Sequence, residues 1–225
     1  MFDFSSSFLE LARERGLLIP LDLALVGATG VGKSTTINCL FGSCAATVGN
    51  GVNPETKVIS SYNVSKYFRI HDTAGLGDGR YEDNIYAKDL SLLLSKKVKI
   101  SGSDTWFGFI DMVLVIIDGG TRDLGTTFKL LENVILNCIE SDRVIVAINQ
   151  ADQAMKGRHW DYARNKPDID LLSFLEEKSS SVQRRIQDST GLLIKQPVFY
   201  SAYHEYNIST LQKQILSQIP YSRRT

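Results

Sequence analysis

Residues 21–35 read LDLALVGATGVGKST, and within them Gly27, Gly32, Lys33 and Ser34 stand at the Walker A spacing of glycine, four residues, glycine, lysine and serine. The residue types account for that spacing. Glycines at 27, 30 and 32 let the backbone curl until successive amide N–H groups converge on one anion. A helix starting near Lys33 turns its positive dipole end toward the same point. The Lys33 ammonium is placed to bridge β- and γ-phosphate oxygens, and the Ser34 hydroxyl to ligate Mg²⁺. Nucleotide contacts are expected from Gly27, Thr29, Gly30, Val31, Gly32, Lys33, Ser34 and Thr35. By chance the pattern occurs in about one chain in a hundred of this length. A plain glycine turn between strand and helix leaves Lys33 and Ser34 unexplained.

Three later segments bear on which nucleotide this loop serves. Asp72-Thr-Ala-Gly75 ends an apolar run; its aspartate can hold Mg²⁺ through water, and the Gly75 amide can sense a γ-phosphate. Asn149-Gln150-Ala-Asp152 ends another run, and a carboxylate at Asp152 can accept hydrogen bonds from guanine N1–H and N2–H₂. Adenine offers no such donor pair, and leaving a buried carboxylate unpaired would cost several kcal/mol. Ser201-Ala202 closes the last run, where a backbone N–H can meet guanine O6. Taken singly, each segment is an ordinary strand end or helix cap. Together they line one edge of a sheet, where open α/β folds bind ligands.

The elements that must position these residues are short β-branched runs alternating with longer helical patterns. Runs at 21–26, 58–64, 68–71, 112–118, 144–149 and 198–201 alternate with helix-like spacing at 33–42, 80–99, 124–140, 168–189 and 206–219. Continuous apolar runs such as MVLVIID suit strands covered on both faces. The runs at 58–64 and 67–71 are too close for a crossover and should form an antiparallel hairpin. The fold class read from this is a three-layer α/β G domain of the P-loop NTPase type. It should hold about six mostly parallel strands with one antiparallel edge strand. Residues 21–220 form this domain; 1–20 are a helical extension and 221–225 a tail. Ser7 and Glu10 match a capping box, with Phe4, Phe8, Leu11 and Ala12 on one helical face.

Composition removes other classes. The 225 residues carry 25 basic and 25 acidic side chains, so no bulk field draws in DNA or an anionic membrane. No apolar run reaches a bilayer's thickness, and residues 1–20 lack the apolar core of a secretory signal. Three cysteines without metal-ligand spacing fit a reducing compartment, and a cytoplasmic location is expected.

In the order and identity of these motifs, residues 20–220 resemble the Era-like branch of the translation-factor-related GTPases. The stretches GVNPETK, DTAGLGDG and NQADQAMKGRHWD further resemble the small enterobacterial YfjP/YeeP-type members. The resemblance implies a Mg²⁺-dependent switch that binds GTP and GDP and hydrolyses GTP, with an unidentified protein or ribosomal effector. The alternative is a module that binds GTP without hydrolysing it and signals by association. The resemblance nominates Thr56 for the first switch, as a ligand to Mg²⁺ beside Ser34 and Asp72. Lys33, Thr56 and Gly75 would then carry catalysis; Thr47 competes for the switch role. The stretch 42–53 suits a loop that orders on triphosphate binding. Four positions depart from the pattern. Leu76 stands where many signalling GTPases place a water-orienting glutamine, so unaided turnover should be slow. Gly30 replaces the asparagine of potassium-activated members. Thr29 is branched where an arginine finger needs clearance, and Gln150 replaces the commoner lysine. The 153–167 insertion and the three histidines have no assigned role.

Overall fold

The structure is a computed structural model that describes residues 3–41, 59–63, 66–75, 80–99, 104–121 and 125–225. Its elements follow in chain order. α1 (Phe4–Glu14), β1 (Leu21–Gly27) and α2 (Lys33–Phe41) come first, then β2 (Ile59–Asn63), β3 (Phe68–Thr73) and α3 (Arg80–Ser95). A short ribbon, β4 (Lys97–Lys99) with β5 (Trp106–Gly108), precedes β6 (Met112–Asp118). α4 (Gly125–Leu130), a π turn over Leu131–Ile135 and α5 (Leu136–Cys138) lead to β7 (Val144–Asn149). β8 (Trp160–Asp161) and β9 (Lys166–Pro167) make a second ribbon before α6 (Ile169–Thr190), β10 (Val198–Phe199) and α7 (Ile208–Ser217).

Six strands form the main sheet in the order β10-β7-β6-β1-β3-β2, all parallel except β2, which pairs antiparallel with β3 at the edge. The expected hairpin and edge strand are therefore present. Strand alternation divides the core in two. Leu21, Leu23 and Leu25 of β1 point to one face and pack with Phe4, Phe8, Ile37, Leu211 and Ile215 from α1, α2 and α7. Ala24 and Val26 point to the other, with Leu90, Leu94, Phe128, Ile135, Val182 and Ile186 from α3 to α6. Covering both faces explains why β1, β6 and β7 are almost wholly buried and read as unbroken apolar runs.

Four sequence expectations change. α1 starts at Phe4 and is capped by Asp3, whose Oδ1 accepts the Ser5 and Ser6 N–H groups at 3.1 and 3.3 Å. A start at Ser7 would leave Phe4 outside the helix, whereas the earlier start brings Phe4 and Phe8 edge-on to Phe68. The 80–99 helix stops at Ser95, so the Lys96-Lys97-x-Lys99 run lies on an exposed ribbon instead of a helix face. The 124–140 helix is interrupted by the π turn. The 221–225 tail is packed on the domain in part: Arg223 and Arg224 are buried, and Gly108 N–H donates to Arg224 O at 2.7 Å. The Arg223 guanidinium lies between the buried carboxylates of Asp22 (3.1 Å) and Asp111 (2.8 Å), while Arg69 and His71 reach Asp22 from β3 at 2.7 Å. Among the described residues, no helix is long and apolar enough to cross a membrane.

Candidate nucleotide site

The C-terminal end of β1 runs straight into the loop that opens α2. Gly30 and Gly32 adopt φ of +77° and +88°, which side chains with a Cβ rarely take, and the loop curls through them. Val31 turns its side chain into the core, so only its backbone serves the loop. Lys33, the first residue of α2, arches back so that its Nζ donates to Gly27 O and Ala28 O at 3.1 and 3.2 Å.

β3 lies beside β1 and delivers Asp72 to the same end. Ser34 Oγ donates to Asp72 Oδ2 at 3.4 Å, and the second carboxylate oxygen, Oδ1, is buried with no hydrogen-bond partner among the described residues. Burial pushes the Asp72 carboxyl above its ordinary range, against the Lys33 charge and the Ser34 hydroxyl, which both pull it down. A hydroxyl beside a carboxylate with a spare oxygen is the hard, oxygen-rich donor set that Mg²⁺ takes, so these residues fit the ion. Gly75 comes so close to the backbone and hydroxyl of Thr29 that any side chain there would collide with them.

β7 and β10 deliver the third group. Asn149 ties the loops together: its Nδ2 donates to Val31 O at 2.8 Å, and its Oδ1 accepts the Ala202 N–H at 2.9 Å. Gln150, held at φ +58°, donates from Nε2 to Gly30 O at 2.9 Å. Asp152 is 2% exposed; Oδ2 accepts Gln153 Nε2 at 2.6 Å, and Oδ1 has no partner among the described residues. A cavity of about 380 Å³ joins the two ends, lined by Gly30, Gly32 and Thr35 on one side and by Asn149, Gln150, Asp152, Gln153, Ser201, Ala202 and Tyr203 on the other. Every sequence-predicted site residue within the described set therefore lies along one rim of the sheet. Thr56, Thr47, Leu76 and the 42–53 loop lie outside the described residues.

Residues 22–156 match the family model described as 50S ribosome-binding GTPase. The chain belongs to that family. Guanine-nucleotide binding through a P-loop follows from this membership. The tRNA modification GTPase MnmE of Sulfurovum sp. (strain NBC37-1) is 29% identical over 146 residues, which are 64% of this chain and 29% of MnmE. The chain thus spans under a third of that relative's length. Among solved structures, Toc33 from Arabidopsis thaliana in complex with GDP and Mg²⁺ superposes with a TM-score of 0.60 at 16% identity, over 96% of this chain and 91% of Toc33. Era from Aquifex aeolicus bound to GDP·AlF₄⁻ does so with a TM-score of 0.50 at 21% identity, over 90% and 58%. Both share the fold.

Sequence reading passed over several residues that shape this GTPase site. Thr36 Oγ1 and the fully buried Tyr200 hydroxyl meet at 2.8 Å, and Thr36 also donates to Gly32 O at 2.8 Å, linking the phosphate loop to β10. Tyr203 lines the cavity, and its position directly after Ser201-Ala202 is the signal that could have marked it. His204 lies 3.8 Å from Asp152, and no linear pattern announces that contact. Trp160, in the insertion to which the sequence assigned no role, is buried with Ala151, Leu171 and Leu175.

Proposed function

We propose that the chain binds GTP with Mg²⁺ at this rim, hydrolyses it slowly to GDP and phosphate, and uses the difference between the two nucleotides as a switch. The observation that carries the reading is Asp152: a buried carboxylate with an unpartnered oxygen, in a cavity it shares with the phosphate loop. In this reading Asp152 takes guanine N1–H and N2–H₂, while Asn149, which accepts the Ala202 N–H, and Gln150 hold the base loop against the phosphate loop. The Ser201 and Ala202 amides, read from the sequence as donors to O6, are spent on Tyr206 O and Asn149 Oδ1. The amides of residues 27–35 and the Lys33 ammonium cradle the phosphates. Ser34 and Asp72, with Thr56 by resemblance, would hold Mg²⁺, which neutralises charge on the β- and γ-phosphates when bound. Water attacks the γ-phosphorus in line, GDP leaves, and fixed positive dipoles stabilise the charge that develops. Gly75, seated on Thr29, senses the γ-phosphate through its amide. Leu76 cannot orient water through a hydrogen bond, which supports slow unaided turnover.

A YfjP/YeeP-type identity and a ribosomal or protein effector complete the proposal. Era has been solved with MgGDPNP and a segment of 16S ribosomal RNA. Equilibrium titration and single-turnover phosphate release test the reading. GDP should bind at least about a hundredfold more tightly than ADP, because a site built around buried polar groups rejects a base that cannot pair them. Phosphate release from GTP should be slow and should stop when Mg²⁺ is chelated. ADP binding as tightly as GDP would overturn the guanine assignment. Absence of any release, with or without cell extract, would favour the non-hydrolysing module.

A further inference from the structure

The 153–167 insertion and His204 meet beside the base end of the cavity. Trp160 of β8 is anchored in a small core with Ala151, Ala154, Leu171 and Leu175, and its indole stacks on the His204 ring at 5.3 Å between centroids. Tyr162 and Tyr203 stand edge-on to the same ring at 5.8 and 4.9 Å. The backbone of His204 is held as firmly: its N–H donates to Ser201 Oγ at 3.2 Å, and its carbonyl accepts Asn165 Nδ2 at 2.7 Å. The ring therefore has one orientation, with Nε2 3.8 Å from Asp152 Oδ2.

We propose that His204 is a positioning residue for guanine recognition: set in an aromatic wall supplied by the 153–167 insertion, it fixes the plane of the Asp152 carboxylate. The inference rests on the guanine reading above. A carboxylate that accepts N1–H and N2–H₂ together must present both oxygens in the plane of the base, yet its terminal torsion is soft. Oδ2 is tethered by Gln153, an exposed and long side chain, and faced by the His204 imidazole, which is rigid. Oδ1 is left unpartnered. The orientation is thus set before the base arrives, which removes an ordering cost from binding. The insertion serves the base pocket through Trp160, Tyr162 and Asn165.

The rival role, filling space among aromatic rings, separates cleanly by substitution. His204→Phe keeps a stacking ring and removes the nitrogen; His204→Gln keeps an N–H donor and removes the ring. The readout is the affinity for GDP against IDP, whose base lacks the 2-amino group, on the full chain with thermal unfolding alongside. His204→Phe should weaken GDP about threefold, the scale of a long polar contact and not of a hydrogen bond, and shrink the GDP/IDP ratio at unchanged melting temperature. His204→Gln should recover most of that ratio. A parent-like ratio in His204→Phe, or an equal loss in both variants, overturns the assignment while leaving the guanine reading intact. If the parent itself fails to prefer GDP over ADP, the guanine reading falls and this assignment with it.

Discussion

Asp152 is buried and one of its oxygens lacks a donor, so its chemistry is read most directly by changing what it can accept. Asp152→Asn offers one donor and one acceptor in place of two acceptors. Preference should therefore move from GTP toward XTP, whose base presents a carbonyl where guanine has its amine; competition binding between the two nucleotides checks this. Gln150 addresses a different term. Its amide reaches Gly30 O at 2.9 Å and so joins base loop to phosphate loop without a charge. Gln150→Ala should weaken GTP and GDP alike by about fivefold, the value of one neutral hydrogen bond, without altering the choice of base. A change in the GTP to XTP ratio on titration would contradict that assignment.

At the scale of elements, the phosphate loop and the base loops are braced from beneath by α2 and β10. Thr36 donates to Gly32 O and meets the Tyr200 hydroxyl, with both side chains buried. The direction of donation makes the pair asymmetric. Tyr200→Phe removes a donor and leaves Thr36 satisfied by Gly32, which should cost about 1 kcal/mol. Thr36→Val leaves the tyrosine hydroxyl buried without a partner and should cost about 2–3 kcal/mol. Denaturant unfolding of the two variants measures the order, and equal losses would refute it. Burial also raises the Tyr200 hydroxyl's pKa, so the pair holds its protons across the physiological range.

The whole molecule is closed by the chain's last residues. Arg223 is 1% exposed at its side chain and bridges Asp22 and Asp111, while Arg224 reaches the carbonyls of Cys138 and Leu94. Removing one partner of a buried ion network is severe because the other charge stays buried. Arg223→Leu should therefore destabilise the fold by about 3–5 kcal/mol. Asp22 retains Arg69 and His71, whereas Asp111 is left with the Asp22 N–H at 3.0 Å, so the weak point is Asp111. Burial holds the Asp111 carboxyl above its ordinary range even with Arg223 beside it. The native state therefore binds that proton more readily than the unfolded chain, and stability falls as pH rises through this window. The Arg223→Leu defect should shrink as pH is lowered, and Asp111→Asn in the same chain should recover part of it. A pH-independent loss in urea titrations would show that Asp111 is not the orphaned group.

Local chemistry made much of this protein legible in one dimension. The Walker A spacing, the places of Asp72, Asn149 and Asp152 at strand ends, and the buried runs of β1, β6 and β7 could each be read from residue type and neighbours along the chain, because strand burial and loop curvature are local properties. The edge hairpin was legible for the same reason, since two residues cannot make a crossover. What tertiary structure alone decided rests on contacts between distant positions. No glycine or proline within 126–138 marks the π turn in the 124–140 helix. The start of α1 at Phe4, with Asp3 as its cap, depends on Phe4 reaching Phe68. A terminal Arg-Arg reads as solvated until Asp22 and Asp111 are found buried 201 and 112 positions earlier. His204 gains its meaning only because Trp160 and Asp152 arrive beside it. Burial of a charge depends on what the rest of the chain packs around it, and that is settled only when the sheet and its helices assemble.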